Sequence, residues 1–135
     1  MDRRIVVTGM GVISPVGCTL KDFWDNLVNG RSGIDTIKQV PNIESFSSQV
    51  GGEIKDFDPE DYIPKKELRR MDPFTHYGLA SALMAVEDAG LELEEEDKTR
   101  IGVLVGSGVG GLQILEKQHH VLVDRGPSRL NTFLI

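Results

Sequence analysis

The sequence predicts a layered α/β fold, on three observations. Two apolar, β-branched runs, Ile5-Val6-Val7 and Ile101-Gly102-Val103-Leu104-Val105, each follow basic residues and each run into a glycine-rich turn, the pattern of buried strands. Segments with helical periodicity lie between them and after the second. Strands separated by helices in this way form a sheet with helices packed on its faces.

The first run, Arg3-Arg4-Ile5-Val6-Val7-Thr8-Gly9-Met10-Gly11, is read as a strand that ends where the backbone needs positive φ or a close approach. It has the charge pattern of a secretory signal, but Gly9, Gly11 and Pro15 interrupt it and no small-residue cleavage site follows. Leu20, Phe23, Trp24, Leu27 and Val28 then recur at the helical period, with Thr19 and Asp22 as a capping box and Gly30 as terminator. About residues 31–64 sustain no period and are read as an irregular insertion, with a short strand expected within 48–54.

Asp72-Pro73 opens a second helix, Asp72 as N-cap and Pro73 at its first position, that stops at Gly90. Gly78, Ser81, Ala82, Ala85 and Ala89 place small side chains on one face, so this helix is expected to be central and closely approached. An acidic turn, Glu92 to Asp97, leads to the second strand and its loop, Gly106-Ser107-Gly108-Val109-Gly110-Gly111. A third helix is expected from Leu112 to near Gly126-Pro127. The chain stops at Asn131-Thr132-Phe133-Leu134-Ile135 inside an apolar run, which predicts a truncated chain.

With 135 residues, 39% of them hydrophobic and 27% charged, the chain is long enough for one core. A net charge of −6 argues against nucleic acid as a partner, because such a surface repels phosphate. No run has membrane-spanning length. The single cysteine, Cys18, allows no internal disulfide, which suits a reducing, cytoplasmic setting.

Gly106, Gly108 and Gly111 satisfy the spacing of a dinucleotide-binding loop. The acid that should close the next strand about 20 residues later is missing, for that region reads Ser128-Arg129-Leu130-Asn131. Cys18 precedes a helix N-terminus, where a thiolate is favoured, yet no motif pairs it with His76, His119 or His120. The adjacent His119 and His120 point to different helix faces and lack metal-site spacing, so no metal is expected. Lys65-Lys66-Glu67-Leu68-Arg69-Arg70 is a basic cluster on an acidic chain; such clusters ordinarily line a solvated turn, and the sharper reading is a dock for an acidic partner.

Several separate stretches converge on one family. The opening through Ser14-Pro15-Val16-Gly17, then Phe23-Trp24, Gly30-Arg31-Ser32-Gly33-Ile34, Arg70-Met71-Asp72-Pro73-Phe74, Glu87-Asp88-Ala89-Gly90-Leu91 and the glycine loop at 106–111 together resemble the β-ketoacyl-[acyl carrier protein] synthases, most nearly the type II elongating synthase. The resemblance runs through the whole chain in order. It implies a thiolase-like αβαβα fold, with residues 1–135 forming part of the N-terminal domain. It also implies an acyltransferase of fatty acid biosynthesis that performs a decarboxylating Claisen condensation of malonyl-carrier with an acyl-enzyme thioester.

The partners implied are acyl carrier protein, acyl and malonyl thioesters and a second copy of the complete protein, with no cofactor. The family's nucleophilic cysteine and two histidines are expected downstream of Ile135, so no catalytic residue falls here and the 135-residue chain alone is expected to be inactive. Cys18 stands where relatives commonly carry Asn. By resemblance Val109 gates the acyl pocket, Phe133 and Leu134 line its mouth or the channel nearby, and Lys66, Arg69, Arg70 and Arg129 meet the carrier. The alternatives are a polyketide ketosynthase or chain-length factor, a nucleotide-binding module, and an independent scaffold or carrier-binding domain.

Overall fold

The structure, a computed structural model, describes residues 3–131. In chain order it contains α1 (Leu20–Val28), β1 (Asp35–Thr36), β2 (Val50–Gly51), α2 (Lys65–Leu68), α3 (Pro73–Asp88) and α4 (Leu112–Arg125), with short 3₁₀ turns between them. The chain divides into two units, Met1–Asp58 with Ala80–Glu96, and Pro59–Leu79 with Asp97–Ile135. Among the described residues no helix is long and apolar enough to cross a membrane.

In the first unit, α1 starts and stops where its punctuation dictates. Thr19 Oγ1 accepts from the Asp22 amide at 3.1 Å and donates to the Asp22 carboxylate at 2.8 Å, so the expected capping pair forms through the hydroxyl. At the far end Gly30 takes φ +65°. Its amide donates to Leu27 O and that of Arg31 to Asn26 O, the doubly bonded Schellman closure that only a residue at ease with positive φ completes cheaply. The second half of α3 ends likewise at Gly90, φ +61°, through Gly90 N to Glu87 O and Leu91 N to Val86 O.

Before α1, Ser14 and Gly17 exchange two backbone hydrogen bonds around Pro15 and Val16. Pro15 sits against two glycines of the following irregular stretch: a Cβ on Gly33 would lie 2.8 Å from the Pro15 carbonyl carbon, and one on Gly52 2.9 Å from Pro15 Cγ. The short strand expected within 48–54 is present as β2, which pairs antiparallel with β1, Asp35 opposite Gly51 and Thr36 opposite Val50.

The opening run departs from expectation. It joins no ladder, and the sheet among the described residues consists of β1 and β2 alone. A doubly buried strand needs pairing partners for its backbone as well as cover for its side chains, and here Ile5 remains 91% exposed. What the run does have is a helix beside it. A Cβ on Gly9 would stand 2.6 Å from Ala89 N, and one on Gly11 2.8 Å from Met84 Cβ, while Met10 N donates to the Asp88 carboxylate at 2.9 Å. Ser81 and Ala85 of α3, with Ala89 just past its end, are therefore the small residues that are approached closely; Gly78 has nothing within 4 Å of its would-be Cβ and Ala82 is exposed.

In the second unit, the 3₁₀ turn Pro59–Asp61 precedes α2, and Ile63 between them is almost completely buried. The run at 101–105, expected as the second strand, also joins no ladder among the described residues, and Leu104 is 97% exposed. It leads through the glycine loop into α4, which ends at Gly126 with φ +80°, as its sequence predicts.

Candidate functional site

The site is best built from the base of the glycine loop, where Asp72 works on two helices. As N-cap of α3 its carbonyl accepts from Thr75 N at 2.9 Å, and its Oδ1 faces Phe74 N at 3.5 Å. Its other oxygen, Oδ2, accepts from Ile114 N at 3.0 Å, in the first turn of α4. The N-cap of α4 is Gly111, which has no side chain to give, so a carboxylate from elsewhere in the same unit satisfies an amide that the helix itself leaves unpaired. A negative charge there is also favoured by the helix dipole. Asp72 is only 6% exposed, and a Cβ on Gly111 would press on it at 3.3 Å.

The loop above this anchor is held by few contacts. Leu112 N bonds Gly110 O at 3.1 Å and Gly110 N bonds Ser107 Oγ at 3.0 Å, with Gly110 at φ +79°. Val109 lies within the Ser107–Gly110 turn and is 75% exposed. At Gly106, Gly108 and Gly110 a Cβ would meet nothing within 4 Å among the described residues; the close approach that the glycines lead one to expect is found at Gly111 alone. Phe133 and Leu134, expected to join Val109, lie outside the described residues.

The basic cluster forms the short helix α2 and the turn after it. Lys66 lies on α2, Arg69 is its C-cap, Arg70 follows, and all three are exposed. Arg129 closes the 3₁₀ turn Pro127–Arg129 and is exposed as well. Its neighbour Asn131 is fastened to α4, for the buried Gln118 side chain accepts from Asn131 N at 2.7 Å. A groove of about 280 Å³ is lined by Arg69, Asp72, Lys117, Gln118 and Asn131 among others, so it gathers Arg69 but not Lys66, Arg70 or Arg129. Lys65 pairs with Glu60 at 2.8 Å, while Lys66, Arg69 and Arg129 enter no ion pair among the described residues.

Cys18 is not an activated nucleophile. Its thiol donates to Lys55 O at 3.2 Å, in a groove of about 440 Å³ that also holds Asp22, Arg31 and Asp56. Burial, and then the carboxylates of Asp56 and Asp22, push the thiol pKa up, outweighing the Ser14 backbone contact that pulls it down. His76 Nε2 contacts Leu68 O at 3.3 Å, and the rings of His119 and His120 meet each other edge-on at 6.1 Å between centroids. Among the described residues no group of His, Cys, Asp and Glu is arranged to hold a metal ion.

Sequence reasoning assigned Asp72 to α3 only. Its service to α4, and the bond from Asn131 N to Gln118, depend on which segments fold together; a glycine at the N-cap of α4 was the one available hint that the cap comes from elsewhere.

Residues 2–133 match the family model described as Beta-ketoacyl synthase, N-terminal domain. The chain is 46% identical over 133 residues to 3-oxoacyl-[acyl-carrier-protein] synthase 2 of Vibrio cholerae, covering 98% of this chain and 32% of the relative. It is 45% identical over 134 residues to the Staphylococcus aureus protein of that name, covering 99% and 32%. The chain thus spans about a third of the length of the curated relatives it matches. Among solved structures it is similar to a chain of one described as a type II PKS acyl-carrier protein in complex with its ketosynthase bound to the hexaketide, with TM-score 0.78 and 27% identity over 98% of this chain and 35% of that one. The ishigamide ketosynthase/chain length factor gives TM-score 0.76 and 31% identity over 99% and 33%. The α/β, thiolase-like class expected from the sequence is the class of these neighbours, whose N-terminal part the chain matches.

Proposed function

The chain belongs to the β-ketoacyl synthase family, as part of its N-terminal domain, and from that premise we propose that the complete protein elongates fatty acyl chains. The reaction is a decarboxylating Claisen condensation. An acyl group is held as a thioester, malonyl-carrier loses carbon dioxide, and the resulting carbanion attacks the thioester carbonyl and expels the thiolate. The observation that carries this reading is the identity of 45–46% to synthases of fatty acid elongation, sustained along nearly the whole chain. The type II PKS structure and the ishigamide ketosynthase/chain length factor match at only 27% and 31% identity, which favours the fatty acid enzyme over a polyketide ketosynthase or chain-length factor. The nucleotide-binding reading has no acid partner for its loop and gains no support.

In this reading the 135 residues supply walls and docking surface, not the nucleophile. Cys18, with its raised pKa and carbonyl partners, is unsuited to attack a thioester. Val109, on the loop that enters α4, is the gate of the acyl pocket, with Phe133 and Leu134 at its mouth. Lys66, Arg69, Arg70 and Arg129 present positive charge to an acidic carrier protein, on a chain whose net charge is otherwise −6. The complete enzyme is a cytoplasmic homodimer, a setting its single cysteine in this region suits.

The direct test is Val109→Phe in the complete protein, assayed with acyl-carrier substrates of graded length. The added ring should depress kcat/KM for long chains while sparing short ones; an unaltered chain-length profile refutes the gate, and absence of condensation with malonyl-carrier in the unmodified protein refutes the activity.

A further inference from the structure

Resting on the reading of Val109 as the acyl gate, we infer that Asp72 is the positioning residue that holds this gate in place, by capping α4 from outside that helix. Three observations carry it. The carboxylate is buried and its Oδ2 accepts from Ile114 N at 3.0 Å, in a helix whose own N-cap, Gly111, offers no acceptor. Among the described residues Gly111 is the one loop glycine that is closely approached, and what approaches it is Asp72, so a Cβ there would crowd the carboxylate that accepts from Ile114 N. The loop has no packing of its own at Gly106, Gly108 or Gly110 among the described residues.

The placement of Val109 is therefore passed along a short series of bonds: Asp72 Oδ2 to Ile114 N, Leu112 N to Gly110 O, and Gly110 N to Ser107 Oγ. Release of the first bond frees the start of α4 and with it the Leu112–Gly110 tie and the Ser107–Gly110 turn that contains Val109. A loosened gate discriminates less between chain lengths, because it yields to whichever chain enters. Asp72 touches no substrate in this scheme; it acts through Val109.

The experiment uses the complete protein carrying Asp72→Ala or Asp72→Asn, with chain-length profiles and amide exchange read by mass spectrometry. Loss of an N-cap acceptor speeds opening of a helix start by about five- to tenfold, so Asp72→Ala should accelerate exchange at 110–114 by that factor. It should also flatten the ratio of kcat/KM between long and short acyl chains by about threefold or more. Asn keeps an acceptor for Ile114 N, and Asp72→Asn should restore most of both properties, which a mere loss of fold would not do. Equal exchange, or a kcat/KM that falls by one factor at every chain length in both variants, overturns the inference. If Val109→Phe leaves the profile untouched while Asp72→Ala shifts exchange as expected, it is the gate that fails and not the cap.

Discussion

Two glycines near or on α3 are predicted to respond to alanine in opposite directions. At Gly11 the new methyl would arrive 2.8 Å from Met84 Cβ and 2.9 Å from the Ser81 carbonyl carbon, inside any real contact distance. One of those neighbours is helix backbone, so the strain cannot be relieved by a side-chain rotation; overpacking of this kind costs about 1–3 kcal/mol. At Gly78, inside α3, the methyl meets nothing within 4 Å and removes backbone freedom from the unfolded chain, a gain of about 0.5–1 kcal/mol. With a urea dependence of about 2 kcal/mol per M, Gly11→Ala should lower the unfolding midpoint by about 0.5–1.5 M and Gly78→Ala should raise it by about 0.3–0.5 M. Pulse proteolysis across a urea series on the 135-residue chain reads the folded fraction directly. A Gly11→Ala midpoint equal to that of the parent would mean that the opening run does not lie against Ser81 and Met84, and the account of Gly9 and Gly11 would be lost with it.

Replacement of Arg69 and Arg70 by Glu in the complete protein should raise KM for carrier-bound substrates by about three- to tenfold and leave kcat nearly unchanged, with the effect fading in high salt; identical kinetics would mark the cluster as merely solvated. Cys18 should react more slowly with iodoacetamide at pH 8 than a free thiol does, by peptide-resolved mass spectrometry, because its raised pKa lowers the thiolate fraction. The same shift has a stability consequence of definite sign. The folded thiol keeps its proton to higher pH than the unfolded one, so its contribution is complete below the ordinary thiol value of about 8.5 and is lost as pH rises through the folded value. A Cys18→Ser variant should lose that alkaline dependence, and alkylation as fast as a free thiol would contradict the shift.

Helix boundaries were legible in the sequence because they are set by neighbours in the chain. Thr19 with Asp22, Gly30, Asp72 with Pro73, Gly90 and Gly126 each stop or start a helix through bonds that span no more than about one and a half turns. The basic cluster was equally plain, since charge and its local density are read directly. The strands were not. Residues 5–9 and 101–105 carry the composition of buried strands but join no ladder among the described residues, since a strand is completed only by a partner distant in sequence. The glycine loop was found but half explained: the tight approach at Gly111 follows from where Asp72 lies, 39 positions earlier in the chain.

By itself the sequence determined the helices, the family and the charged face, all of which depend on residue identity and short spacing. Only the tertiary structure decided that Asp72 serves a second helix, that Gly9 and Gly11 are small because α3 lies against them, and that the Cys18 thiol lies close to Lys55 O. Each of those facts is a distance between segments far apart in the chain, and no local pattern of residues encodes such a distance.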